Sequence, residues 1–198
     1  MGAEPVKSIL SRIVFTVRMG ARHRAGLARI LRENAPDCRP WEISIDQCRS
    51  TGATVIALDF DGVLAPHGDP RPAPLMLDWL DRCVGQFGAE NVFVLSNAPS
   101  PPRMAFFQDR FPDVRWQTGA ARKPYPDGLE QIISLTRVAP RALLLVDDRL
   151  LTGALAACIA DINFLYVRRP IVDLAKQTFK EIFFMTLRVT ERLLLRWF

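Results

Sequence analysis

The chain has 198 residues, 49% hydrophobic and 24% charged, with 26 Lys+Arg against 21 Asp+Glu. That composition excludes wholesale disorder and fits one domain with a sizeable core, and no uncharged apolar run approaches the ~20 residues that cross a bilayer. The net charge of +5 is unevenly spread: residues 1–40 carry eight basic side chains against three acidic, residues 168–198 seven against three, and the centre eleven against fifteen. Basic ends read as attraction to something anionic, lipid or nucleic acid. The first fifteen residues lack a long apolar run and a small-residue cleavage site, so a secretory signal is not expected. Cys38, Cys48, Cys83 and Cys158 form no CxxC pair. The expectation is buried thiols in a reduced, cytoplasmic compartment, with neither a zinc site nor a disulfide framework.

In chain order, Val6–Arg32 has helical periodicity. Val6, Ile9, Leu10, Ile13, Val14, Val17, Leu27, Ala28 and Leu31 share one side, and Lys7, Arg12, Arg18, Arg22 and Arg29 the other. Gly20 and Gly26 are the expected points of a break or bend. Then come a strand over Thr54–Phe60, a helix over Pro74–Phe87, a strand over Asn91–Leu95, a helix over Pro102–Phe111 and a short strand over Val114–Gln117. A helix over Pro126–Thr136, a strand over Ala142–Val146, a helix over Leu150–Ile159 and a strand over Ile162–Val167 follow. Strands alternating with helices predict an α/β fold, a parallel sheet with helices on both faces. Near the end, Phe179, Ile182, Phe183, Leu187, Val189, Leu193, Leu194 and Trp197 form an apolar stripe. Lys180, Glu181, Arg188, Glu191, Arg192 and Arg196 lie opposite, and Phe184, Leu195 and Phe198 intrude on or border that polar arc.

Chemistry-bearing residues collect at the ends of the strands, where open parallel sheets bind ligands. Asp59-Phe60-Asp61-Gly62 directly follows the first strand. A carboxylate placed there can be a nucleophile and its neighbour a general acid and base, while Gly62 permits a tight turn and close backbone approach. The same pattern also occurs in turns and calcium loops. Ser96-Asn97 follows the second strand and suits phosphoryl oxygens, or an ordinary helix cap. Lys123 is one of four lysines beside 22 arginines, and the only lysine in the acidic centre. A compact point charge there can do what a planar fork cannot. Asp147-Asp148 follows the ALLLV strand and suits Mg2+, or the N-terminus of a helix. Together these groups supply the parts of phosphoryl transfer: nucleophile, acid/base, phosphate donor, cation and metal ligand.

With those residues in place, the sequence resembles the haloacid dehalogenase superfamily of aspartate-dependent phosphatases. DFDGVL looks like its first motif, Ser96 its second, Lys123 its third and Asp147-Asp148 its fourth. The resemblance implies a Rossmann-like sheet, a Mg2+ cofactor and a covalent aspartyl-phosphate. It implies that Asp59 attacks phosphorus, that Asp61 protonates the leaving oxygen and later activates water, and that Ser96, Asn97 and Lys123 bind the phosphate. Asp59, the Asp61 carbonyl and Asp148 would hold the metal, with Asp147 in support. From about Pro36 onward the chain is similar to the IIIA-type branch, which includes phosphatidylglycerophosphate phosphatases. The similarity rests on Asp147-Asp148-Arg149-Leu150-Leu151-Thr152-Gly153, on Arg122-Lys123-Pro124 and on the tail around Arg168–Val172. Two positions depart from that branch. Gly62-Val63 stands where Asn-Thr is usual. Gly153 stands where an acid is usual, while Asp147 takes the usual glycine position.

The expected organisation is a basic helical extension over 1–50, a catalytic core over 51–170 and a basic amphipathic helix over 171–198. Only 34 residues, 62–95, separate Asp61 from Ser96, and 26, 97–122, separate Ser96 from Lys123. Neither interval holds a cap domain, which needs about 50 residues. An open site suits a lipid head group or a macromolecule. A basic amphipathic helix can lie on an anionic membrane; the alternative is two end helices packed on the core with their Arg faces solvated. The expected partners are a phosphorylated lipid and an anionic membrane surface, with no nucleic acid. A soluble or macromolecular phosphoester, or a non-catalytic scaffold, are the other readings.

Overall fold

The computed structural model describes residues 9–33, 35–117 and 121–196. Five strands, β1 (Val55–Leu58), β2 (Val92–Leu95), β3 (Arg115–Gln117), β4 (Leu143–Asp147) and β5 (Asn163–Tyr166), form one sheet. Their order is β3-β2-β1-β4-β5 and every pair is parallel. Each strand expected from the sequence is present, with ends moved by one or two residues. β1, β2 and β4 are buried at every position, as continuous apolar runs in a sheet covered on both faces must be.

Alternate strand residues feed two cores. Ile56, Leu58, Val92, Val94, Leu144 and Val146 point to one face. There they meet Cys48 of α3 (Ile45–Ser50), Met76, Trp79, Leu80 and Cys83 of α4 (Pro74–Phe87), and Phe107 of α5 (Pro101–Arg110). Val55, Ala57, Phe93, Leu95, Leu143 and Leu145 point to the other. Leu27 and Ile30 of α2 (Arg24–Glu33), Leu129 and Ile132 of α6 (Asp127–Thr136) and Leu155 of α7 (Leu155–Ala160) cover it. α4 has the limits read from the sequence, opened by Pro74 at the first helical position and closed by Gly88 at φ 81°, the usual proline and glycine signals. α3 was not expected: six residues are too short to show a helical period. Trp79 Nε1 donates to the Ile43 carbonyl at 2.8 Å, which ties the segment before α3 to α4.

Three expectations need correction. The N-terminal helix breaks at His23, between α1 (Ile9–Arg22) and α2, and not at Gly20 or Gly26. Its two halves serve different surfaces: Leu27, Ala28 and Ile30 are buried, whereas Ile9, Leu10, Ile13, Val14 and Val17 are exposed. A Cβ on Gly26 would sit 3.2 Å from Cys158 Sγ, so this glycine admits a close approach of α2 to α7. The helix expected from Leu150 begins instead as a π-turn over Leu150–Ala154. Last, α8 (Thr178–Arg196) buries the middle of its charged arc and leaves Lys180 exposed. Glu181, Arg188 and Glu191 are buried, while Phe179, Ile182, Phe183, Val189, Leu193 and Leu194 are exposed. Leu195 enters the second core and Phe184 stacks on His67 with ring centroids 3.9 Å apart. The readings at Val6, Lys7, Trp197 and Phe198 lie outside the described residues. The segments read as extensions, 1–50 and 171–198, thus contribute Leu27, Ile30, Cys48 and Leu195 to the two cores.

Candidate functional site

The chain runs outward from β1 to β2 and β3, then returns to the far side of β1 as β4 and β5. The crevice outside the carboxyl ends of β1 and β4, where the winding reverses, is the place such sheets offer to ligands. Asp59 is the first residue after β1, Ser96 the first after β2, and Asp147 the last of β4. Lys123 lies in the loop between β3 and α6. The sheet therefore delivers all four sequence signals to one edge.

Lys123 is the hub. Its Nζ lies 2.5 Å from Asp147 Oδ2, 3.0 Å from Asp59 Oδ1 and 3.2 Å from the Leu95 carbonyl. An ammonium has three protons, and here each finds an acceptor. Burial works against the lysine charge, but Asp147 and Asp59 override it and hold Lys123 above the ordinary lysine range. Burial pushes Asp59 well above the usual carboxylate range, opposed by Lys123 and reinforced by Asp147 and Asp148.

The two acids after β4 have different partners. Asp147 accepts from Lys123 through Oδ2 and from the Arg149 N–H through Oδ1, at 2.9 Å. Asp148 accepts through Oδ2 from Arg188 Nε of α8 at 2.5 Å, and Arg188 Nη2 lies against the same oxygen. Asp148 Oδ1 is buried with no hydrogen-bond partner among the described residues. Burial pushes Asp148 up to about 6, with Arg188 opposing and Asp147 adding to the rise. Gly62 makes this packing possible. Its φ is +85°, and a Cβ there would collide with Asp148 Oδ2 and lie 3.0 Å from Arg188 Nη2. The close backbone approach read from the sequence is thus an approach to Asp148.

Asp61 faces elsewhere. Arg103 of α5 grips its carboxylate with two bonds, Nη1 to Oδ2 at 2.9 Å and Nη2 to Oδ1 at 2.7 Å. Arg103 also donates to the Asp69 and Ala98 carbonyls and lies over the Phe60 ring, 4.1 Å from its centroid. Ser96 is buried, and its Oγ accepts from the Ala98 N–H at 3.1 Å. Asn97, expected among the phosphate ligands, spends both ends of its amide on Lys123. Its Oδ1 accepts from the Lys123 N–H at 2.8 Å and its Nδ2 donates to the Lys123 carbonyl at 3.3 Å. It braces the lysine loop. A cleft beside Lys123 is lined by Ser96, Asn97, Pro99, Arg122 and Tyr125. Phe15 of α1 packs on Tyr125 with ring centroids 4.2 Å apart, so α1 borders this cleft.

Three buried carboxylates, Asp59, Asp147 and Asp148, place oxygens within 4.8 Å of one another, close enough to hold a metal ion. The Asp61 carboxylate is not among them. Asp147 has committed both oxygens to protein donors, which leaves Asp59 and the unpaired Oδ1 of Asp148 as the better ligands. Lys123 and Arg188 balance two of the three negative charges, and an oxygen-lined site of residual negative charge fits a hard divalent cation.

The sequence reading missed Arg103, Arg188 and Glu191. Arg103 carries no local signal. Arg188 and Glu191 fall on the polar arc of α8, which reads as a solvated face until its partners are known. Comparisons with protein-family models, with curated proteins and with solved structures find no match to the chain.

Proposed function

We propose that the chain is a Mg2+-dependent phosphomonoesterase of the haloacid dehalogenase type, acting through an aspartyl-phosphate on phosphatidylglycerophosphate at a membrane surface. The observation that carries the reading is the bridge from Lys123 to Asp59 and Asp147 at the sheet's switch point. It is a nucleophile with a fixed countercharge beside it. The Asp59 carboxylate attacks phosphorus and the P–O ester bond breaks. Asp61 gives a proton to the departing alkoxide, then takes one from the water that hydrolyses the aspartyl-phosphate. To do so it must release one of its two contacts with Arg103. The Ser96 hydroxyl binds a phosphoryl oxygen, and Lys123 exchanges one of its three contacts for another. A Mg2+ held by Asp59 and Asp148 would offset the repulsion between one carboxylate and an anionic phosphate.

The lipid substrate draws support from the two end helices. α1 reaches the cleft through Phe15, and α8 reaches the carboxylates through Arg188. Both turn apolar faces to solvent beside the site: Val14 is 58% exposed and Val189 52%. Among the described residues no helix is long and apolar enough to cross a membrane, so these faces suit a surface and not a span. The hold of Arg103 on Asp61 favours a second reading, a non-catalytic scaffold. Phosphate release tests both. The full chain with Mg2+ is expected to hydrolyse phosphatidylglycerophosphate in anionic vesicles far faster than soluble sugar phosphates or nucleotides. Preference for a soluble monoester would overturn the lipid assignment, and no turnover of any monoester would leave the scaffold.

A further inference from the structure

We propose that Arg188 is a positioning residue of the metal site. By fixing one oxygen of Asp148, it aims the other at the cation and makes the C-terminal helix part of that site. The inference rests on the metal reading above and extends it to α8.

α8 buries three charged side chains, Glu181, Arg188 and Glu191, and exposes Phe179, Ile182, Phe183, Val189, Leu193 and Leu194. Taking charges out of water is unfavourable unless each is paired and hydrogen-bonded, and each buried charge of α8 meets a group at the carboxyl edge of the sheet. Glu181 accepts from the His67 N–H at 2.9 Å and lies 3.2 Å from His67 Nδ1, in the loop after β1. Glu191 accepts from the Leu150 N–H at 2.8 Å and from Arg149 Nε at 2.9 Å, two residues and one residue past Asp148. The half-buried Arg192 donates to the Tyr166 hydroxyl at 2.8 Å and to the Arg168 carbonyl at 2.6 Å, at the end of β5. Between them stands Arg188, only 2% exposed.

The division of labour on Asp148 is the telling feature. Oδ2 accepts from Arg188 Nε, has Nη2 lying against it and is backed by Gly62, where even a Cβ would not fit. Oδ1 is buried and unpaired. A carboxylate held at one oxygen by a planar fork cannot turn that oxygen toward a cation, so the free oxygen is the one presented. Partners that orient a ligand in this way commonly change metal affinity 10–100-fold when removed. Arg188 could instead be a cation that competes with the metal for Asp148, and that arrangement has the opposite sign.

The test is Mn2+ binding to the full chain, read by electron paramagnetic resonance. Arg188→Ala is expected to bind Mn2+ about 10–100-fold more weakly than the wild type, with methylguanidinium, but not methylammonium, restoring affinity. Arg188→Lys keeps the charge and loses the fork, and is expected to be weakened as well; it carries the test if Arg188→Ala does not fold. Glu181→Gln, which loosens the same helix two turns away, is expected to bind Mn2+ as the wild type does. Unchanged or tighter binding by both Arg188 variants overturns the proposal, and so does an equal loss in Glu181→Gln. A wild-type chain that binds no Mn2+ overturns the metal reading itself, a result distinct from any difference among the variants.

Discussion

The carboxylate of Asp147 fills the space that a side chain at position 153 would need. A Cβ on Gly153 would collide with Asp147 Oδ2 and Cγ. The carboxylate therefore reaches Lys123 from the end of β4, and the glycine in the π-turn leaves it the room. Gly153→Ala is expected to cost about 1–3 kcal/mol by overpacking, a fall of about 2–4 °C in melting temperature for each kcal/mol. The exchanged pair, Asp147→Gly with Gly153→Asp, is expected to be more stable than the two single changes predict when summed. Simple additivity in thermal melts would show that the two positions do not share the space.

Lys123 is the only described cation within reach of both Asp59 and Asp147. Lys123→Met leaves two buried carboxylates without their countercharge and is expected to cost about 3–5 kcal/mol and to abolish phosphate release. Lys123→Arg is not expected to restore either, because a planar guanidinium cannot meet three acceptors arranged around one nitrogen. Urea denaturation gives the first quantity; a fully stable Lys123→Met would contradict the hub.

Burial raises Asp148 to about 6 from an ordinary 3.8, and raises Asp59 as well. Without a bound cation, the folded chain therefore holds more protons than the unfolded chain between about pH 4 and pH 6, and the contribution of Asp148 to stability falls as pH rises through that window. A divalent cation selects the ionised carboxylates, so its binding weakens below about pH 6. Melting temperatures measured with EDTA and with Mg2+ are expected to coincide near pH 4.5 and to diverge toward pH 7, with the Mg2+ form higher. Parallel curves would contradict the assignment of Asp148 as a ligand.

The exposed faces of α1 and α8 are expected to enter the interfacial layer of an anionic bilayer. Val14→Asp and Val189→Asp remove side chains worth about 1.5–3 kcal/mol each when buried, so each is expected to weaken vesicle binding about tenfold or more. Both positions are more than half exposed, so thermal stability should not change. Vesicle co-sedimentation checks this; binding that survives both changes would place the contact elsewhere.

The strands were legible in the sequence because a sheet covered on both faces needs uninterrupted apolar runs, and VIAL, VFVL and ALLLV are such runs. Asp59, Ser96 and Asp147-Asp148 were legible because they stand at the ends of those strands, and Lys123 because it is the only lysine of the acidic centre. What they bind was less so. Asn97 reads as a phosphate ligand and braces Lys123, and Asp61 reads as the general acid and base and is gripped by Arg103. Such roles depend on partners 26 to 42 residues away. α8 shows the limit most clearly: periodicity separates its two faces, but only the unpaired charges at the sheet edge decide which face turns inward.

The most direct measurement is to mix the wild-type chain with phosphatidylglycerophosphate labelled in its terminal phosphate, quench in acid within one turnover and locate the label by peptide mapping. The expected result is label on the peptide that contains Asp59, on that carboxylate, and none in Asp59→Asn. Phosphate release with no covalent label at Asp59, or release that persists in Asp59→Asn, would contradict an aspartate nucleophile.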